Sequence, residues 1–370
     1  MKAGVRLAAP NTSRVTTNLR ALIWGLAVAM SLVVMPPIPA ASSTEVVVAV
    51  LDTGIRSTHE TFEAGQVAAW YDFGRPGGPF APTTLWDSRV QPYDDNGHGT
   101  AVASLVGGRN TTSQSPSFAP NVRLAIAKVS GADGSASWST VARAIRWATD
   151  VAGADIISLS FYAYLPQAGI QHSLLNALED ARNAGVLPIV LAGNGMNNLG
   201  IPTASWVHPP ATSPDALVIG GARDNGLPVA PLGSMDPEAT ALYTVRVADR
   251  SCDACYRSWS GTSFSTPLVA GMGASLIRSA LDAAMEKPSA DRLEVLLKRS
   301  ASDGASPPSL EGYGFLDSLA VGRAKAALLS GETPSRDLQG EASAAYVETL
   351  QRNLRAAWWG RLDRACTQDC

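Results

Sequence analysis

The sequence predicts an α/β fold in which a mostly parallel sheet is covered by helices on both faces. Three observations carry that expectation. Short β-branched apolar runs, such as Glu45–Leu51 (EVVVAVL), have the length and composition of strands buried on both sides. Segments with apolar residues at helical spacing lie between them, as at positions 138, 141, 145 and 148. The two kinds of segment alternate along the chain, which calls for crossover connections and hence parallel strands.

In chain order, the strand over 45–51 is followed by a small-residue helix, Thr100–Val106, which starts after a His-Gly turn and stops at Gly107-Gly108. Val122–Val129 is the next strand and Trp138–Val151 the next helix. Asp155–Phe161 reads as strand, Leu174–Ala184 as a helix stopped by Gly185, and Val186–Leu191 as strand. Ala216–Ile219 is a further strand and Ser265–Ala284 a long helix. These elements place one domain over residues 42–330. Beyond it, 331–370 reads as a linker (GETPSRDLQGEAS) and a helical tail with Val347, Leu350, Leu354 and Trp358 on one face. Ligand sites on such a sheet gather beyond the carboxyl ends of its strands.

Composition narrows the function. The 370 residues are 46% hydrophobic and 16% charged, which suits a large core and excludes a disordered or coiled-coil chain. Residues 1–41 read as an export signal. Lys2, Arg6, Arg14 and Arg20 precede the apolar run Ala21–Met35, which Pro36, Pro37, Pro39 and small residues close. The run falls short of the roughly 20 residues a spanning helix needs, so no stable membrane span is expected after its removal. The expected destination is secreted or periplasmic. Of 29 basic residues four lie in that segment, leaving 25 against 32 acidic ones, a net −7 that gives nucleic acid no electrostatic hold.

Three segments carry chemistry. Asp52 ends the first strand in Asp52-Thr53-Gly54, where a carboxylate is held rigidly. Asp94-Asp95-Asn96-Gly97-His98-Gly99-Thr100 sets an imidazole between two glycines at the start of a helix. Gly261-Thr262-Ser263-Phe264-Ser265-Thr266-Pro267 sets a serine at a helix N-terminus, where free N–H groups favour developing negative charge. Singly, each has another reading: DTG as half of an aspartic-protease site, though the sequence holds no second DTG or DSG, a structural histidine in a Gly-rich turn, and an N-cap serine. An Asp, a His and a Ser in this order, each at an element junction, are compatible with an acyl-transfer triad.

VLDTGI, DDNGHGTAVAS and GTSFSTPLVAG resemble the three signature segments of the subtilisin-like serine proteases. Leu191-Ala192-Gly193-Asn194-Gly195 is similar to the family segment whose asparagine completes the oxyanion hole. Gly131–Ser135, running into Trp138, resembles the strand lining one side of the substrate cleft, and Ser158-Leu159-Ser160 the opposite wall. Gly312–Asp317 (GYGFLD) resembles the C-terminal turn, so the likeness runs from about Val46 to Ala324. It implies a subtilisin-like three-layer fold and a serine endopeptidase acting on peptides or proteins as a monomer. Asp52, His98 and Ser263 would be catalytic, Asn194 would serve the oxyanion, and Gly134, Ser135, Ala136, Ser158, Leu159 and Ser160 would bind substrate. No cofactor or metal ligand set is expected. Calcium is common in the family, but no acidic cluster here spells out a site. The alternatives are a peptide ligase or macrocyclase using the same acyl-enzyme, and a non-cleaving binding protein on the same scaffold.

The departures from the family pattern shape further expectations. Only a few residues separate Ala41 from the first strand, where the family usually carries a propeptide. The protein is therefore expected to reach its active fold without one, its mature end near residues 41–44. The family's Ala-Pro-Gly loop is replaced by Met235–Tyr256, which holds Cys252 and Cys255. Ser160 and Phe161 stand where the cleft wall usually has two glycines. Phe161 is thus expected to narrow the primary pocket. Trp138, on the facing strand, is expected to favour an apolar residue four places before the cut.

The four cysteines, Cys252, Cys255, Cys366 and Cys370, form an even set suited to an oxidising compartment. All four are expected to be oxidised after export. Three pairings are open, and Cys252–Cys255 with Cys366–Cys370 is preferred because neighbours close with the least loop entropy. Peptide mapping without reduction checks this, and four free thiols would overturn it.

Overall fold

The computed structural model describes residues 44–334, except 112, 116, 121, 162–167, 196–208, 230–236, 304, 305 and 307; at 168–171 only the backbone is described. The expected export signal, the C-terminal tail and the Cys366–Cys370 pair lie outside these residues.

Seven parallel strands form the sheet: β1 (Val47–Asp52), β2 (Val67–Asp72), β3 (Arg123–Lys128), β4 (Ile156–Leu159), β5 (Leu187–Leu191), β6 (Leu217–Ala222) and β7 (Ala239–Leu242). Their order is β2-β3-β1-β4-β5-β6-β7. The chain thus builds outward from β1 in both directions, and the switch in direction falls beside the carboxyl end of β1, where such sheets hold their ligands. Side chains alternate across each strand. Val48 and Val50 of β1 enter one core layer with residues of α1 (His98–Gly107), α4 (Thr262–Asp282), α5 (Ala290–Ser300) and α7 (Ser318–Ser330). Val47, Ala49 and Leu51 enter the other with residues of α2 (Trp138–Asp150) and α3 (Ala168–Asn183). A short α6 (Pro308–Glu311) precedes α7. The three-layer α/β expectation is borne out.

Four differences from the sequence reading matter. Strand β4 ends at Leu159, not Phe161, so Ser160 leaves the sheet. Helix α1 starts at His98 itself, after Gly97 at φ 109°, and α4 starts at Thr262 rather than Ser265. Histidine and serine therefore both sit inside first helical turns. An antiparallel hairpin that the sequence reading missed, β8 (Thr244–Ala248) and β9 (Tyr256–Ser260), fills the stretch before Ser263. The Cys252–Cys255 disulfide closes its tip. No helix among the described residues is long and apolar enough to cross a membrane.

Helices α1 and α4 meet where Gly271 faces the α1 backbone. A Cβ there would stand 2.9 Å from the Val106 carbonyl oxygen and 3.4 Å from that of Leu105, too close for any side chain. This contact fixes the separation of the two helices that carry His98 and Ser263. Gly271→Ala is expected to cost about 1–3 kcal/mol by forcing them apart. Gly322→Ala, on the exposed face of α7 with nothing within 4 Å of the added carbon, should instead stabilise by about 0.5–1 kcal/mol. Thermal unfolding of the two variants measures both signs.

Candidate active site

Asp52 closes β1 and is fully buried. One carboxylate oxygen accepts from the Thr53 amide at 2.7 Å, and both lie near His98 Nδ1, at 2.8 and 3.0 Å. A carboxylate only accepts, so Nδ1 carries the proton and Nε2 keeps its lone pair in the neutral ring. Burial by itself would lower the His98 pKa. The charge and hydrogen bond of Asp52, with Asp94 behind, outweigh it and hold the imidazole above the ordinary histidine value.

The sequence reading missed what holds the histidine turn. Asp94 Oδ1 accepts from Thr53 Oγ1 (2.9 Å) and from the amides of Asn96 (3.1 Å) and Gly97 (2.7 Å). Its Oδ2 accepts from the Thr100 amide (2.9 Å) and hydroxyl (2.6 Å). Burial opposes the Asp94 charge, but these bonds, those of Thr100 first, hold its carboxyl below the usual carboxylate range. Thr53 Oγ1 also accepts from the Gly99 amide at 2.8 Å. Glycine is required at 99, because a Cβ would lie 2.3 Å from the Gly54 carbonyl oxygen. Lys128, at the end of β3 and 3% exposed, spends its three protons on Thr53 O, Asp95 Oδ1 and Ser130 O.

Ser263 occupies the first turn of α4, where no intrahelical acceptor exists for its N–H. His98 faces this turn, its ring centroid 5.4 Å from Phe264. The hydrogen bond from Ser263 Oγ to His98 Nε2 is not formed in this structure, as is common before substrate tightens a site. Pro267 lies four residues after Ser263 inside the helix and has no N–H, so the Ser263 carbonyl loses its helical donor. Ser160 Oγ supplies the replacement, donating at 2.9 Å. Asn194 is held by the same turn: its Oδ1 accepts from the Thr262 amide (2.9 Å) and hydroxyl (3.0 Å). A backbone N–H can only donate, so the amide is oriented with Nδ2 left available.

The substrate-wall expectations need correction. Ser158 and Leu159 are fully buried within β4, and their main chains already pair with β1 and β5. Neither side chain is open to a ligand, and Ser160, just beyond the strand, is buried too, its hydroxyl turned to Ser263 O. Opposite, Gly134 and Ala136 are half-buried and Ser135 is exposed, in a turn with Gly134 at φ 77°. Asn96 Nδ2 ties this turn to the histidine segment by donating to Ala132 O at 2.9 Å. Trp138 is the first residue of α2, not part of a strand. Both Trp138 and Phe161 are half-buried and pack, with Ala136, against the core layer under α2 and α3. Phe161 therefore does not stand free in the primary pocket.

The β8–β9 hairpin borders His98, with the Trp259 ring centroid 5.8 Å from the imidazole. Its tip is bolted to the segment after Asp52. Asp253 accepts from Arg56 Nε and Thr58 Oγ1, both at 2.6 Å, and Arg56 Nη1 donates to Arg250 O at 3.0 Å. His59, fully buried, donates from Nε2 to Cys255 O at 2.9 Å while its Nδ1 accepts from the Thr61 amide. Among the described residues no group of three or more His, Cys, Asp or Glu side chains could hold a metal ion.

The Ser160–Pro267 relation is testable. Ser160→Ala should cost about 1–3 kcal/mol by leaving the Ser263 carbonyl unsatisfied. In a Pro267→Ala background, where residue 267 regains an N–H, the same change should cost markedly less. A double-mutant cycle from urea unfolding measures the coupling.

The profile of the Subtilase family matches residues 43–315. An alkaline protease of Alkalihalobacillus alcalophilus is 30% identical over 270 residues, 71% of this chain and 61% of the relative, so the chain spans under two thirds of that protein's length. Thermitase of Thermoactinomyces vulgaris is 30% identical over 65% of this chain and 81% of its own. Among solved structures, a mutant of the protease domain of PatA superposes with a TM-score of 0.62 at 26% identity, over 79% of this chain and 100% of that domain. By its sequence segments, its sheet and these matches, the chain belongs to the subtilase family.

Proposed function

We propose that this chain is an endopeptidase that hydrolyses peptide bonds through an acyl-enzyme. The observation that carries the reading is the buried Asp52–His98 pair presented beside the first turn of α4. In this mechanism Ser263 Oγ attacks the scissile carbonyl while His98 Nε2 takes its proton, then returns it to the leaving amine. Asp52 keeps the proton on Nδ1 and stabilises the imidazolium. Asn194 Nδ2 and the Ser263 N–H donate to the oxyanion of the tetrahedral intermediate. Water then releases the acyl group. The substrate lies extended along Gly134–Ala136, facing Ser160.

The same reading assigns residues 1–41 to export, 42–330 to catalysis and 331–370 to a linker and tail. It makes the mature protein a secreted or periplasmic monomer. The names of its relatives support proteolysis: an alkaline protease and a protease domain.

Turnover requires neutral His98. Because Asp52 holds the imidazole above its ordinary pKa of about 6.5, kcat/KM should rise with pH along a limb centred above that value. The stability term has the opposite sign: a raised histidine pKa adds stability at low pH that is lost as pH climbs through it. A fluorophosphonate probe should label Ser263, and casein should be cleaved. Ser263→Ala, His98→Ala and Asp52→Asn should each lower kcat by about 10⁴–10⁶, the range found in subtilisin itself. Loss of one oxyanion donor slows subtilisin by about 10²–10³, and Asn194→Ala is expected to do the same. Full activity in Asn194→Ala would remove Asn194 from the mechanism, and full activity in Ser263→Ala would overturn the reading.

A further inference from the structure

We infer that the β8–β9 hairpin is a recognition arm for the leaving segment of the substrate, and that Arg250 selects a carboxylate side chain among the first three residues beyond the cut. This rests on the endopeptidase reading above.

The departing amine leaves past the imidazole that protonates it. Next to that imidazole, reached through Gly97 and Trp259, is a cleft of about 290 Å³, lined also by Asn96, Asp249, Arg250 and Arg257. Its charges do not cancel. Arg257 lies 3.6 Å from Asp249 and sits over the Trp259 ring at 4.7 Å, and the charge of Arg250 acts on the same carboxylate, so the cleft holds two cations against one anion. The other carboxylates around it are engaged: Asp253 by Arg56, Asp95 by Lys128, and Asp94 by the histidine turn. Among the described residues the Arg250 guanidinium has no carboxylate within ion-pair distance, and Arg250 is exposed.

Arg250 is also placed. Its aliphatic stem lies over Gly97, where a Cβ would stand 3.1 Å from Arg250 Cδ. Its backbone is fixed by Arg56, and the loop that carries it is closed by the Cys252–Cys255 disulfide and pinned through His59. A guanidinium carried on a placed stem offers planar, paired donors that match a carboxylate. The acyl side of the substrate meets no equivalent charge in the Gly134–Ala136 turn.

The test uses the full-length exported enzyme and peptides that differ only by Asp, Asn or Lys at each of the three positions after the cut. At one position the kcat/KM ratio of Asp over Lys should be about two- to fivefold, the factor an exposed ion pair supplies. It should fall toward unity at high salt. Arg250→Gln, which keeps most of the side chain's length, should abolish the ratio, and Arg250→Glu should invert it. Cleavage with no charge preference, or a preference unchanged in both variants, overturns the inference alone. If no peptide is cleaved, the endopeptidase reading fails and the inference falls with it.

Discussion

Everything in the candidate site hangs on one carboxylate, that of Asp94. It accepts five hydrogen bonds, from the Thr53 hydroxyl, the amides of Asn96, Gly97 and Thr100, and the Thr100 hydroxyl. Those donors come from two separate pieces of chain, the loop leaving β1 and the turn opening α1. Charge-assisted bonds of this kind are the strong ones, and their number offsets the cost of desolvating the anion. The result is that Asp52 and His98, 46 residues apart, meet as parts of one rigid unit. Lys128 reinforces the same unit from β3 through Thr53 O, Asp95 and Ser130 O.

A second unit forms around the first turn of α4. A proline inside the helix leaves one carbonyl without its donor, and that carbonyl belongs to Ser263. Ser160 satisfies it from the end of β4, and Asn194 is oriented by the neighbouring Thr262. An interruption that would be costly elsewhere thus ties the helix to two strand ends of the sheet. The close approach of α1 and α4 at Gly271 sets the two units against each other. The hairpin adds a third boundary through Trp259, which touches both the imidazole and Phe264.

Much of this was legible in the sequence. Strands β1, β3 and β5 announce themselves because burial on both faces leaves an unbroken apolar run. Their ends are less legible. Nothing between Asp155 and Phe161 marks a stop; β4 ends because Ser160 turns to a carbonyl 103 residues away. The cleft wall expected by resemblance at Ser158–Ser160 therefore opens with two residues whose side chains are sealed in the sheet. The start of α4 lies three residues before the expected Ser265, and Gly261 supplies no capping side chain to mark it. Asp52, His98, Asn194 and Ser263 stood out by motif. Asp94 did not, since the sequence cannot tell which of two adjacent aspartates turns inward. The hairpin was invisible because β9 is largely exposed and β8 alternates buried and exposed residues, so neither carries an apolar run.

The order of the elements along the chain has a consequence for when the site comes into being. Asp52 and Ser263 are 211 positions apart in the sequence, and Gly271, which sets the His98 helix against the Ser263 helix, comes later still. At ribosomal rates of roughly 5–20 residues per second, about 10–40 s separate the synthesis of the two. Throughout that interval the Asp52–His98 unit has no α4 to face, and the core layer on that face of β1 is incomplete. On the proposed mechanism, a nascent or truncated chain therefore holds half a catalytic apparatus and cannot cut its neighbours. Long-range topology, usually counted only as a burden on folding speed, here delays the hazard until the molecule is whole.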